Sequence, residues 1–290
     1  MRLSFLFRVI ILGILLGALA CALAEQPQGA QKFVRVRRDA AGAPLALETS
    51  IVSYVSKKDS GLRVDLVSAV HVAEASYYQA LSAKFRSYDA VLYELIAPKE
   101  TRPQVSSDSA LSTLSMMQHA IKDVLQLEFQ LDGIDYHQTN FVHADMSPDE
   151  FFDTMKSRDE SFLKTFLRVI AISSAKGSDS PLNRPPDFKL LLALFGSDRT
   201  YALRKLMAEQ FESAEEVMSM INGPEGSTLV TERNKVALKV LADQISKGKK
   251  RIAIFYGGAH MPHMEQQLLG DFQMQERSIE WLNAWKLANS

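Results

Sequence analysis

The sequence LRVDLVSAVH at residues 62–71 has the same pattern of residue types as RIAIFYGGAH at residues 251–260. Each stretch reads as an apolar strand that passes through a short turn to a histidine and then into a helix. In open α/β sheets, ligands bind in the crevice at the carboxyl ends of such strands. If the two strands are neighbours in space, His71 and His260 lie in one cleft.

Further strands are predicted around the first stretch. Residues 33–37, 45–55 and 62–70 are separated by turn-forming residues, so they are expected to form an antiparallel meander. Helical spacing follows over residues 75–86, and a short apolar strand follows over residues 89–95. Strand, helix and strand together predict a βαβ unit with a right-handed crossover and a parallel pair of strands.

The middle of the chain has mainly helical periodicity. Helices are predicted at residues 110–131, after a capping box at 147–150, at 187–222, and from Thr228 to Lys247 with a stop at Gly248. An alternating tail at residues 272–281 again favours a strand. The predicted fold class is α/β (α+β), with a mixed β-sheet core built from both ends of the chain. It contains βαβ units and a helical insertion at about 100–230.

The composition argues against several classes of protein. The 290 residues include 33 Lys+Arg and 34 Asp+Glu, which gives a formal net charge of −1. A dedicated nucleic-acid binder needs a basic excess, so no nucleic-acid partner is expected. The sequence has no GxSxG elbow, P-loop, HExxH motif or dinucleotide fingerprint after a strand, and nothing in it indicates ATP, NAD or a serine hydrolase.

The N-terminal segment has the pattern of a secretory signal peptide. A positive start and an uncharged apolar run end in Ala-Leu-Ala at residues 22–24. This predicts a signal peptide over residues 1–24, a polar linker over 25–32 and one α/β domain over 33–290, in a protein exported to the periplasm or secreted. Cleavage would remove the only cysteine, Cys21, and with it any disulfide or thiol chemistry. The alternative is an uncleaved membrane anchor or a lipid anchor on Cys21, the only membrane contacts expected.

Three side chains are candidates for the chemistry of the cleft. His71 and His260 each follow an apolar strand, and Glu94 lies at the end of the strand in the unit that His71 begins. Two imidazoles and one carboxylate suit a divalent transition metal with positions left open for water and substrate. Water bound to such an ion becomes a nucleophile near neutral pH. The alternatives are hydrogen-bonded core histidines, or Glu94 as a general base without a metal role.

Arg233 and Asn234 begin a predicted helix and form the second candidate group. An arginine that faces the cleft could stabilise an oxyanion or hold a terminal carboxylate. The alternative is a salt bridge to a neighbour such as Glu232 or Asp65. Of the other histidines, His263 is expected on the surface, although it could be a further ligand.

In these motifs the chain resembles the TraB/PrgY/GumN family, to which the Tiki metalloproteases are related. The matching residues are Ser68 to His71 with Tyr78, Asp89 to Glu94, Arg233 with Asn234, and Gly257 to His260 with Leu268 and Leu269. Ser68 departs from the family pattern, which has glycine there, and this puts full metal affinity in doubt. The resemblance implies the fold of a wider group that includes haem-binding ChaN-like and erythromycin-esterase-like proteins. It also implies a metal-dependent peptidase that uses manganese or cobalt.

The sequence therefore predicts an exported metal-dependent hydrolase that acts on peptide or amide bonds in a peptide or small-molecule substrate. His71, Glu94 and His260 are the expected ligands of a manganese, cobalt or zinc ion, while Glu94 and Arg233 are the expected catalytic residues. The competing hypothesis is a non-catalytic envelope protein that sequesters a peptide, a pheromone or a haem-like ligand. A third is an inactive scaffold that acts through its helical insertion.

Overall fold

The computed structural model describes residues 32–99, 101–102, 125–161 and 225–288, together with 164, 200–205, 207–208 and 222. The predicted signal peptide and nearly all of the linker lie outside the described residues. Most of the predicted helices at 110–131 and 187–222 also lie outside them. Among the helices that are described, none has both the length and the apolar character needed to cross a membrane.

The elements of the described chain largely agree with the predicted strands and helices, but the helix predicted over 110–131 is wrong near its end, where Glu128–Phe129 form a strand. The strands are β1 (Val34–Arg38), β2 (Pro44–Ser56), β3 (Arg63–Ala69), β4 (Val72–Ala73), β5 (Ala90–Tyr93), β6 (Glu128–Phe129), β7 (Phe141–His143), β8 (Arg251–Gly257) and β9 (Met274–Lys286). The α-helices are α1 (Ala75–Phe85), α2 (Gln130–Gly133), α3 (Pro148–Ser157), α4 (Arg233–Ser246) and α5 (Met261–Gly270). A π-helical turn, Thr228–Glu232, leads into α4, and a 3₁₀ turn, Gly258–His260, leads into α5.

The core is a mixed sheet whose strands come mainly from both ends of the chain, as predicted. Strand β7 is the exception, because it lies within the predicted helical insertion and pairs with β5. In the described chain the order of the sheet is β1-β2-β3-β8-β5-β7, with β9 paired to β2 as well. The pairs from β1 to β3 are antiparallel, whereas β3, β8, β5 and β7 run parallel. The α/β fold class with a mixed sheet is thereby confirmed. A separate two-stranded pair, β4 with β6, was not predicted.

The long strand β2 organises the antiparallel half of the sheet. Its first half pairs with β1, and residues 51–55 pair with β3. The tail strand β9 pairs with β2 from Ala46 to Ser56. The predicted meander is confirmed, and the tail strand is longer than predicted because it ends at Lys286 rather than Trp281.

The predicted parallel pair of β3 with β5 is wrong in one respect. Strand β8 lies between the two and is parallel to both. Residues 252–256 of β8 are all buried, as expected for a strand with neighbours on both edges and helices on both faces. The two strands of the βαβ unit, β3 and β5, are therefore separated by β8. Because β8 leads to His260, it brings residues 251–260 next to residues 62–71.

Helices cover both faces of the sheet. On one face α1 packs through Tyr77, Tyr78, Leu81 and Phe85. On the other face α4 and α5 pack through Ala237, Leu238, Leu241, Met261, Met264 and Leu268. The predicted capping box at the start of α3 is also present, because Ser147 and Glu150 each hydrogen-bond the other's backbone N–H.

Candidate active site

The candidate site lies at the carboxyl ends of the parallel strands β3, β8 and β5. Ser68 pairs with Tyr256, and Tyr93 pairs with Phe255, so the three strands end at nearly the same level. The residues that follow them therefore meet at one edge of the sheet. This is the edge where an open α/β sheet forms its ligand crevice.

Glu94 is the first residue after β5, and both of its carboxylate oxygens accept hydrogen bonds. Arg233 Nη2 donates to Oε1 at 2.7 Å, and the Gly257 backbone N–H donates to Oε2 at 2.8 Å. Burial by itself raises the pKa of Glu94. The positive charge of Arg233 outweighs burial and holds this pKa well below its ordinary value. Glu94 is therefore ionised at neutral pH.

Arg233 is the buried centre of the site. It donates to Asp145 through Nε at 3.0 Å and through Nη2 at 2.6 Å, and the Asp145 side chain is fully buried. Burial lowers the pKa of Arg233, but the carboxylates of Asp145 and Glu94 raise it further, so the guanidinium stays charged. Two bonds to one carboxylate fix the plane of the guanidinium as well as its position.

The predicted salt-bridge partners of Arg233 are wrong. Glu232 instead binds Arg158 and Lys235, and Asp65 binds Arg63. The side chains of neighbouring residues point in different directions from a helix. When Arg233 points toward the carboxyl ends of the strands, Glu232 therefore points elsewhere. The actual partner, Asp145, was missed, although it lies two residues after the end of the parallel strand β7, at the same end of the sheet as Glu94.

His260 is held by Asn234, the residue next to Arg233. The Asn234 amide nitrogen donates to the His260 carbonyl at 3.0 Å, so the amide oxygen faces ring Nδ1 at 2.6 Å. An amide oxygen only accepts, so Nδ1 carries the proton. Ring Nε2 then accepts from Arg233 Nη1 at 3.4 Å and lies 3.5 Å from Glu94 Oε1.

His71 is partly exposed, whereas His260 is buried. Its Nδ1 is 3.2 Å from Gln130 Oε1. Its Nε2 lies 3.7 Å from the point where a Cβ on Gly257 would stand, and Glu94 Oε2 lies 3.4 Å from the same point. His71 and Glu94 therefore flank Gly257, and Glu94 also contacts His260.

The arrangement of these side chains does not fit the predicted metal. Among the residues that the structure describes, no group of three His, Cys, Asp or Glu side chains is placed to hold an ion. Glu94 Oε1 and His260 Nε2 both face N–H groups of Arg233, whose fixed positive charge would repel a second cation. Asp145 prevents the guanidinium from turning away. The metal ligand set of His71, Glu94 and His260 stays a prediction.

Two of the other histidines that the structure describes, His143 and His263, have hydrogen-bond partners. His143 Nε2 hydrogen-bonds the Leu95 carbonyl at 2.6 Å, and His263 Nδ1 lies 3.2 Å from the Asn234 amide nitrogen. Burial, together with nearby Lys235, lowers the pKa of His263. His137 lies exposed in a connecting segment.

Tyr78 supports the turn that carries His71, and Ser68 lies in the strand before that turn. The Tyr78 hydroxyl donates to the Val70 carbonyl at 3.0 Å, one residue before the histidine. Ser68 lies within β3 and is not among the described residues with positive φ, so serine replaces glycine there without backbone strain. Its buried hydroxyl has no hydrogen-bond partner among the described residues.

Comparisons with protein-family models, with curated proteins and with solved structures found no match. The resemblance to the TraB/PrgY/GumN family therefore stays a prediction from the motif residues.

Proposed function

We propose that this protein hydrolyses an amide or ester bond at the carboxyl ends of β3, β5 and β8. The observation that carries the proposal is that the His71 imidazole, the ionised Glu94 carboxylate and the buried Arg233 guanidinium lie together at the carboxyl ends of the parallel strands. Charged groups this well buried are costly unless they are paired, and here each is paired with another. A hydrolase needs a base, a place for water and a stabiliser of negative charge, and these three side chains can supply them.

His71 is the proposed general base. It is the most exposed imidazole of the cluster, and an imidazole can accept and return a proton near neutral pH. Glu94 is less suited to this role. A carboxylate that accepts two hydrogen bonds and has a depressed pKa is a weak base. Its negative charge instead favours the imidazolium that forms when His71 takes a proton.

The proposed reaction begins with water between His71 and the substrate carbonyl. His71 Nε2 takes a proton while the water oxygen bonds to the carbonyl carbon, and the C=O π electrons move onto the carbonyl oxygen. Arg233 Nη1, whose two hydrogen bonds are both 3.4 Å long, donates to this oxyanion from the position in which Asp145 holds the guanidinium. The oxyanion then re-forms the C=O bond and expels the amine or alcohol, which takes the proton back from His71.

The experiment is hydrolysis of a peptide library and a set of aryl esters by the wild type and by His71→Ala. The proposal expects the loss of one general base to reduce the rate about 10²- to 10⁴-fold. The control is His137→Ala, which removes an exposed histidine of the connecting segment. Equal rates for His71→Ala and wild type would contradict the proposal.

The alternative function, a binding protein without turnover, makes the opposite prediction in the same assay. The wild type would then bind a peptide or haem-like ligand saturably and release it unchanged. Product analysis by mass spectrometry separates the two, because hydrolysis adds one water to the substrate and binding adds nothing.

A further inference from the structure

Gln130 holds His71 at both its main chain and its ring. The Gln130 backbone N–H donates to the His71 carbonyl at 2.8 Å, and Gln130 Oε1 lies 3.2 Å from His71 Nδ1. The residues next to each, Val72 in β4 and Phe129 in β6, are paired across the small second sheet. This pairing places the buried Gln130 carboxamide next to Nδ1 of His71, the proposed general base.

The orientation of the Gln130 amide is set by Tyr136. The amide nitrogen donates to the Tyr136 hydroxyl at 2.9 Å, so the amide oxygen is the atom that faces His71. Burial raises the pKa of Tyr136, so its hydroxyl is a neutral acceptor. Since an amide oxygen cannot donate, the proton between the two residues belongs to His71 Nδ1.

We infer that Gln130 is a positioning residue that keeps His71 in the tautomer with the proton on Nδ1. This inference rests on the proposed function, in which Nε2 is the nitrogen that accepts a proton from water. Nε2 is on the side of the ring that faces Glu94 and Gly257. In the other tautomer Nε2 would carry a proton in the resting state and could not accept one.

The second histidine of the site supports this inference. His260 Nδ1 is bonded to Asn234 Oδ1, and the Asn234 amide nitrogen is occupied by the His260 carbonyl. In both imidazoles, therefore, Nδ1 faces the oxygen of a buried carboxamide, and Nε2 is on the side of the ring that faces Glu94. The two amides come from separate parts of the chain, so the shared arrangement is not a product of one local turn.

The test uses Gln130→Met, which keeps the length of the side chain but removes the acceptor, and Gln130→Glu, which keeps an acceptor oxygen. The matched control is Gln138→Met, which removes an amide bonded to the Asp135 carbonyl outside the site. The tautomer of His71 is read from the ¹⁵N NMR shifts of its ring, assigned by their loss in His71→Ala.

The inference expects a protonated Nδ1 in wild type, in Gln130→Glu and in the control, and a protonated Nε2 in Gln130→Met. It also expects kcat of Gln130→Met to fall about 10- to 100-fold with little change in KM, because replacing a residue that hydrogen-bonds a functional histidine weakens the histidine's role by about that much. An unchanged tautomer in Gln130→Met, or an unchanged kcat, would overturn it. The NMR measurement needs no substrate, so it decides the tautomer even if no bond is cleaved and the proposed function fails.

Discussion

Arg233 and Asp145 form a two-bond ion pair, with Nε at 3.0 Å and Nη2 at 2.6 Å from the two carboxylate oxygens, and both side chains are buried. The pair joins α4 to the segment after β7, two parts of the chain that are 88 residues apart. The same guanidinium reaches Glu94, so this one contact also fixes the charge at the centre of the site.

The first prediction concerns Asp145→Asn. The substitution leaves Arg233 with one carboxylate instead of two, and removing one partner of a buried ion pair costs about 3–5 kcal/mol. We expect a loss of that size in the free energy of unfolding, measured by urea denaturation. The control, Asp153→Asn, alters an exposed residue of α3 and should change stability by less than about 0.5 kcal/mol. An equal, small effect of both variants would contradict the central role of this pair.

The second prediction concerns the pH dependence of stability. The pKa of Glu94 is lower in the folded protein than in the unfolded chain, where it is about 4.3. The stabilisation that Glu94 provides is therefore fully present above that unfolded value and is lost as the pH falls through the folded pKa. We expect Glu94→Gln to be less stable than wild type at neutral pH, with a difference that shrinks as the solution is acidified.

Urea unfolding of both proteins at several pH values measures this difference. Glu225→Gln, at an exposed position, is the control and should follow the wild-type pH profile. A gap between wild type and Glu94→Gln that stays constant into strong acid would show that the folded protein does not depress the pKa of Glu94.

The third prediction concerns metal content. Because Arg233 faces both Glu94 and His260, we expect purified protein to contain only substoichiometric manganese, cobalt or zinc. Treatment with a chelator should leave hydrolysis unchanged. One ion per chain, lost in both His71→Ala and His260→Ala, would instead support the metal centre predicted from the sequence.

The sequence revealed the strands that build the site because their signals are local. An apolar run that ends in a polar residue marks a buried strand with a functional end, and this applies to the strands before His71, Glu94 and His260. The order of strands in the sheet is not local. Nothing between β3 and β5 in the sequence indicates that β8 lies between them in space, because its pairing depends on contacts almost 190 residues away.

Asp145 and Gln130 show the same limit within the site. Neither lies in a recognisable motif, and each is linked to the site only by its hydrogen-bond partner, Arg233 for Asp145 and His71 for Gln130. Asp145 could have been suspected from its position just after β7. Gln130 could not, because the two-residue strands β4 and β6 that bring it to His71 are too short to have a recognisable pattern.

The last prediction concerns Gly258, which lets the turn before His260 approach β1. A Cβ on this residue would stand 2.5 Å from Val34 Cγ2 and 3.1 Å from Ser68 Oγ. Gly258→Ala should therefore cost about 1–3 kcal/mol through overpacking and should displace His260, with a loss of activity. The control, Gly270→Ala, meets no atom within 4 Å and should be neutral or slightly stabilising.

A second substitution separates crowding from other effects at Gly258. Val34→Ala removes the methyl group that the new Cβ would meet, so the double variant should recover part of the stability and activity that Gly258→Ala loses. Urea unfolding and the hydrolysis assay measure the two recoveries. If the double variant loses the sum of the two single losses, the contact between Val34 and Gly258 does not set the position of His260, because independent sites add.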